Sequence, residues 1–138
     1  MTDACPCGRQ DARGRALAYA DCCGRFLDGG EPAPDAESLM RSRYTAFVRE
    51  RADHLLATWH PAHRPRDLGF EPQARWLGLE VRGHRVTGPD TAEVEFVARH
   101  RAPGHAVRLH ERSRFVREAD GALWRWYYLD AVGPTDDA

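Results

Sequence analysis

The spacing of apolar residues changes character twice along this chain. Met40, Tyr44, Phe47 and Val48 fall at i, i+4, i+7 and i+8, with Leu39 beside them, which is the stripe of an amphipathic helix. Asp35 is a suitable N-cap and Glu37 stands in the first turn, near the positive end of the helix dipole, so a helix is expected over roughly Ala36–Glu50. Arg41, Ser42, Thr45 and Arg49 lie mostly on the side opposite the stripe, and Arg43 borders it. Ala52, Leu55, Leu56 and Trp59 predict a second, short helix, stopped by Pro61, which also biases His60 out of the helical region. The stretch from His60 to Pro72 holds three prolines and reads as loop.

From Arg75 the period becomes two. Leu77, Leu79 and Val81 alternate with Trp76, Gly78 and Glu80, and Val94, Phe96 and Ala98 alternate with Glu93 and Glu95. Val107, Leu109, Glu111, Ser113 and Phe115 share one face of a third strand; Trp124, Trp126, Tyr128 and Asp130 share one face of a fourth. Gly88-Pro89-Asp90, Pro103-Gly104 and Asp120-Gly121 supply the turns between them. Helices followed by an antiparallel meander predict an α+β fold with the helices on one face of the sheet.

Strand parity narrows the chemistry. Around Asp120-Gly121, loops of two or four residues both put Glu111, Ser113 and Phe115 on the face of Trp124, Trp126, Tyr128 and Asp130. A two-residue loop sets Glu111 opposite Asp130. The aromatic residues mark that face as the buried one, so acidic groups enter the concave side and need partners there. Arg43 and His60 are the available cations. The candidate pocket is therefore Arg43, Tyr44, His60, Glu111, Ser113, Trp126, Tyr128 and Asp130. Three uses stay open: a buried Arg43–Glu111 ion pair tying helix to sheet, a polar ligand pocket with aromatic walls, or acid/base catalysis by Glu111, Asp130 or His60. No catalytic residue is assigned.

Composition limits the partners. The 138 residues suit one domain with a small appendage, and a net charge of −1 gives no global argument for nucleic acid or membrane. All basic residues are arginine. Arg108, His110, Arg112 and Arg114 form a basic stripe on the other face of the third strand, but Glu93, Glu95 and Glu118 interrupt it, so direct nucleic-acid binding is not expected. His54, His63, His84, His100 and His105 are scattered and read as surface residues. No signal peptide and no membrane-length apolar run is evident, which points to a cytoplasmic, reducing setting.

That setting bears on the four cysteines, all within the first two dozen residues: Cys5 and Cys7 on a knuckle closed by Gly8, then Cys22 and Cys23 before Gly24. Four thiolates suit a closed tetrahedral metal site, with zinc expected and iron the alternative; a disulfide framework is the competing reading. Gly29-Gly30-Glu31-Pro32-Ala33-Pro34 links this module, residues 1–30, to a domain expected over 34–133.

Cys5-Pro6-Cys7-Gly8, followed by Tyr19-Ala20-Asp21-Cys22-Cys23-Gly24, resembles the SEC-C module, a small zinc-binding motif. The resemblance implies the ligand role for Cys5, Cys7, Cys22 and Cys23. About six extra residues near Arg9–Arg13 depart from the pattern and are expected to loop out. Leu39-Met40-Arg41-Ser42-Arg43-Tyr44, Leu56-Ala57-Thr58-Trp59-His60-Pro61 and His110-Glu111-Arg112-Ser113-Arg114-Phe115 resemble the YchJ family of bacterial proteins. That likeness implies a nuclear-transport-factor-2-like cone after the SEC-C module, and no established activity. SEC-C modules are associated with docking, so a non-enzymatic adaptor for a protein or ribonucleoprotein partner is expected first. A small-molecule-binding or enzymatic cone is the alternative. An open cavity with Glu111 reachable favours the alternative; a cavity plugged by Trp124, Trp126 and Tyr44 favours the adaptor.

Overall fold

The computed structural model describes residues 3–132. Met1, Thr2 and residues 133–138, which include the last position of the expected second domain, lie outside them. A short 3-10 turn, Tyr19–Asp21, leads into α1 (Gly24–Leu27). The linker then delivers the chain to α2 (Ala36–Val48), where the Asp35 carboxylate accepts from the Ser38 N–H at 2.7 Å and caps the helix. The short α3 (Ala52–Ala57) follows. Four long strands complete the chain: β1 (Arg75–Gly88), β2 (Thr91–Ala102), β3 (His105–Asp120) and β4 (Leu123–Ala131).

The strands form one antiparallel sheet in the order β1-β2-β3-β4. Gly88 pairs with Thr91 and Ala102 with His105, so Pro89-Asp90 and Pro103-Gly104 are the turns. α2 lies on the concave face, where Val94, Phe96, Ala98 and Phe115 are at most 7% exposed. The segment after α3 joins the sheet edge: the Tyr128 N–H donates to the Thr58 carbonyl and the His60 N–H to the Tyr128 carbonyl, both at 2.8 Å.

Three departures from strict alternation matter. The last turn is Gly121-Ala122, because Asp120 pairs with Leu123. In β1 the register slips between Trp76 and Gly78, so Trp76 faces inward against Tyr44 and Phe47 while Leu77 is 51% exposed. In β4 Phe115 pairs with Tyr128 but Arg114 pairs with Asp130, leaving Leu129 as the extra residue. That bulge turns Asp130 to the convex face.

Two buried polar residues tie the helices together. His54, expected at the surface, is 9% exposed, and its Nε2 lies 2.8 Å from Ser42 Oγ. Ser42 donates its hydroxyl to the Leu39 carbonyl at 2.7 Å, so the imidazole is the donor to Ser42. Burial, then the nearby Arg43 cation, pull the His54 pKa down to about 4 from 6.5. The unfolded chain therefore binds a proton there first, and stability falls as pH drops through the window from about 6.5 to about 4. In urea melts across that range, wild type should lose stability more steeply than His54→Gln, which keeps a donor but does not titrate. Equal slopes would contradict a neutral buried His54.

Candidate metal centre and ligand cavity

The N-terminal module is a small two-armed turn. Bridges join Ala4 to Ala18 and Gln10 to Ala16, and the Cys5 N–H donates to the Leu17 carbonyl at 2.8 Å. The intervening residues loop out in a tight turn: Asp11 Oδ1 accepts from the Arg13 and Arg15 N–H groups at 2.8 and 3.0 Å. The insertion therefore leaves the ligand pairs side by side. Gly8, with φ 76, makes the left-handed step after Cys7. Gly24 is required for a different reason: a Cβ there would lie 2.7 Å from the Tyr19 carbonyl oxygen.

The four sulfurs lie within 4.8 Å of one another and are buried. Cys7 and Cys22 are 3.7 Å apart, and sulfurs at about 2.3 Å from a central ion occupy tetrahedron corners about 3.8 Å apart. The cysteines are unpaired thiols, not a disulfide framework. Hydrogen bonds from Cys22 and Cys23 hold Cys5 and Cys7 below the ordinary thiol range, Cys7 at about 7. Cys23 is driven upward, first by Cys22, and Cys22 is driven upward by Cys5 and Cys7 against an opposite pull from Cys23. Four sulfurs this close ionise together only around a cation. The donor set fits a four-thiolate metal site.

This centre is built onto α2. Thr45 Oγ1 lies 3.7 Å from Cys5 Sγ, and Arg41 donates to the Cys7 carbonyl at 3.0 Å while pairing with Glu37 at 2.9 Å. Arg9 donates to Ser38 Oγ at 2.8 Å, and Arg51 reaches back to the Leu27 carbonyl and Asp28. The side of α2 opposite its apolar stripe is thus covered by the module at Ser38, Arg41 and Thr45 and by His54 of α3 at Ser42; Ser42 and Thr45 are 0% exposed.

The apolar side of α2 faces a cavity of about 300 Å³ on the concave face of the sheet. Tyr44, Phe47, Trp59, Trp76, Phe115 and Tyr128 give it aromatic walls, and Arg43, Glu111 and Ser113 are polar groups among them. Arg43 is 7% exposed. Its Nη1 donates to the Leu55 carbonyl and to Thr58 Oγ1, each at 2.8 Å. The guanidinium lies 4.5 Å from the Tyr128 ring centroid and 5.1 Å from that of Trp59. Burial lowers its pKa to about 10, opposed by Tyr128 and Glu111. Ser113 donates to one Glu111 oxygen at 3.1 Å.

Of the residues expected in the pocket, the structure brings Arg43, Tyr44, Glu111, Ser113 and Tyr128 to the cavity. The expected Arg43–Glu111 ion pair is not formed; helix-end oxygens take Arg43 instead. Asp130 is not opposite Glu111: the Leu129 bulge sends it to the convex face, where Arg114 grips both oxygens at 2.7 and 2.6 Å. His60 pairs with Glu118 at 2.9 Å outside the cavity, because its backbone is pinned to the β4 edge. Trp126 lines a separate cleft with Leu39 and His54, and Trp124 is 59% exposed beside Arg117. Neither plugs the cone. On the convex face, Glu95 meets His110 at 2.7 Å and Glu93 meets Arg85 at 3.0 Å and Arg112 at 3.7 Å, so carboxylates interleave the basic stripe. Trp59 and Trp76 were not read as pocket residues; aromatic side chains flanking the expected helix stop and first strand were the available signal.

The centre should take up one metal ion per chain and lose it in Cys22→Ser. Because all four cysteines belong to the same buried cluster as α2 and the sheet, the loss should lower the melting temperature of the whole chain, in one transition, by roughly 10 °C or more. Elemental analysis with thermal melts checks this. A metal-free variant that melts like wild type would contradict it.

Comparison with known proteins agrees with this architecture. Residues 35–131 match the family model described as YchJ, middle NTF2-like domain. A UPF0225 protein of Polaromonas sp. (strain JS666 / ATCC BAA-500) is 66% identical over 129 residues, covering 91% of this chain and 90% of that protein. A SEC-C motif containing protein from Psychrobacter arcticus superposes with TM-score 0.80 at 32% identity, covering 99% of this chain and 85% of that one. A SEC-C motif containing protein from Rhodopseudomonas palustris gives TM-score 0.78 at 32% identity, covering 97% of this chain and 100% of that one. With its clustered cysteines and its NTF2-like cone, this chain belongs to the YchJ-like UPF0225 family.

Proposed function

We propose that this protein binds a small molecule in the cone cavity, and that its N-terminal module, loaded with zinc, is a structural staple of that cone. The cavity carries the reading: about 300 Å³, walled by aromatic rings, with Glu111 on its lining and neither Trp124 nor Trp126 inside it. Ligand sites are usually apolar hollows of roughly 300–1,000 Å³ with a few placed polar groups, and this one sits at the small end. The zinc assignment is supported by four thiolate donors at tetrahedral spacing; iron is the other ion such a set accepts. Thiols held free of pairing suit a reducing compartment such as the cytoplasm.

Docking on a protein or ribonucleoprotein partner has less support. The four cysteines are at most 5% exposed and tied to α2, so the metal centre serves the cone's own packing. Acid/base catalysis has less support too, since Asp130 and His60 stand outside the cavity that holds Glu111.

An apolar probe tests the ligand reading. In titrations with 3-ethylindole followed by ¹H–¹⁵N correlation spectra, the indole N–H signals of Trp59 and Trp76 should shift and that of Trp124 should not. Ala98→Phe, which places a ring in the cavity from the floor of β2, should weaken the probe at least fivefold. Saturable shifts at Trp124 alone, or unchanged affinity in Ala98→Phe, would count against the cavity as the site.

A further inference from the structure

The cavity wall presents two opposite charges that form no ion pair with one another. Arg43 is a cation 93% buried on the scale where its exposure is 7%, and no described carboxylate forms an ion pair with it. Both of its hydrogen bonds use Nη1; among the described residues, Nε and Nη2 make none. Beside it stands Trp59, whose indole N–H is buried and has no hydrogen-bond partner among the described residues. Glu111 accepts from Ser113 through Oε2 and, among the described residues, has no bonded partner for Oε1. The rest of the lining is almost entirely apolar.

A ligand that fills such a cavity expels the water that solvates both charges. A purely apolar ligand strips both without replacement, and a buried charge left unpaired is costly. A simple anion satisfies Arg43 but faces Glu111; a simple cation satisfies Glu111 but faces Arg43. Only a head group carrying both an acceptor and a donor meets the two walls together, and preorganised charged partners select strongly for such a match.

We infer that the cavity takes a molecule with an apolar, preferably aromatic, body and a dipolar head, its acceptor atoms received by Arg43 and its donor by Glu111. Zwitterionic amino acids and neutral primary amides share this chemistry. The inference rests on the reading of the cavity as a ligand site and narrows it to one class of head group.

Five probes with one indole body test it by isothermal titration calorimetry on the full, metal-loaded chain: L-tryptophan, indole-3-propionamide, indole-3-propionate, tryptamine and 3-ethylindole. At least one dipolar probe should bind tenfold or more tightly than either singly charged probe, and which of the two leads separates zwitterion from amide. Glu111→Gln, which removes a charge and keeps the shape, should bring indole-3-propionate to within about threefold of the better dipolar probe. Arg43→Met should do the same for tryptamine; if it fails to fold, Glu111→Gln decides. A singly charged probe that binds as tightly as both dipolar ones, or a preference unmoved by Glu111→Gln, overturns the inference. If 3-ethylindole binds and no head group improves on it, the cavity reading stands and the head-group inference falls. If none of the five binds, both fall.

Discussion

Four sulfurs held within 4.8 Å of one another are the constraint on which the rest of this structure depends. Their mutual repulsion as thiolates is resolved only by a cation between them, and the free energy of that coordination, roughly 10–16 kcal/mol in small thiolate modules, becomes folding free energy. The N-terminal segment has few large apolar residues, so it gains order from the sulfurs and from what they pack on. That surface is α2. Thr45 and Arg41 meet Cys5 and the Cys7 carbonyl, and the cysteines enter the same buried cluster as Leu39, Met40 and Phe115. The module is therefore continuous with the core of the cone. A tag tied to the body by a linker alone would leave Thr45 without the Cys5 sulfur that covers it.

α2 consequently has no solvated face along most of its length. One side receives the metal module and the other lines the cavity, and Arg43 sits between them. This is why a helix with charged residues at positions 37, 41 and 43 is nonetheless buried: each has a defined acceptor or ion-pair partner. Arg41 has Glu37 and a carbonyl, and Arg43 has a helix-end carbonyl, a hydroxyl and two aromatic faces. The Ser42–His54 contact does the same for the α2–α3 seam, where burial and the nearby Arg43 keep the imidazole neutral. Burial of polar groups on this scale is tolerable when nearly all are satisfied; beside the cavity the exceptions among the described residues are the Trp59 N–H and the Nε and Nη2 of Arg43, which make no hydrogen bond.

The fold class, the α2 stripe, the Asp35 cap and the inward face of β3 were legible because each follows from a period that runs unbroken through its element. The cysteine cluster was legible because four thiols lie close together in sequence. What could not be read were the interruptions. A β-bulge adds one residue and inverts the facing of everything beyond it; nothing in Tyr128-Leu129-Asp130 announces such an insertion, and in Trp76-Leu77-Gly78 only the glycine inside the strand, at φ 157, hints at one. Hence Asp130 was expected in the cavity and Leu77 in the core, and both face away. The cover on the polar side of α2 is illegible for a different reason: part of it comes from a segment 34–40 residues upstream whose packing is set by sulfur geometry, which hydrophobic periodicity does not encode.

The same bulge that removes Asp130 also defines the site that remains. With Asp130 at the position first expected, two carboxylates would have shared the concave face with one arginine, and like charges at that distance would raise one carboxyl's pKa until it kept its proton. By sending Asp130 to Arg114 on the convex face, β4 leaves Glu111, among the described residues, as the one carboxylate lining the cavity that Arg43 also lines. The cavity is thereby left balanced in charge yet unpaired, its two polar groups held apart by their own commitments to Ser113 and to the end of α3. A structural ion pair needs the opposite arrangement, with both side chains released to meet. The commitments that keep Arg43 and Glu111 apart are what make this wall a receptor for something that spans them.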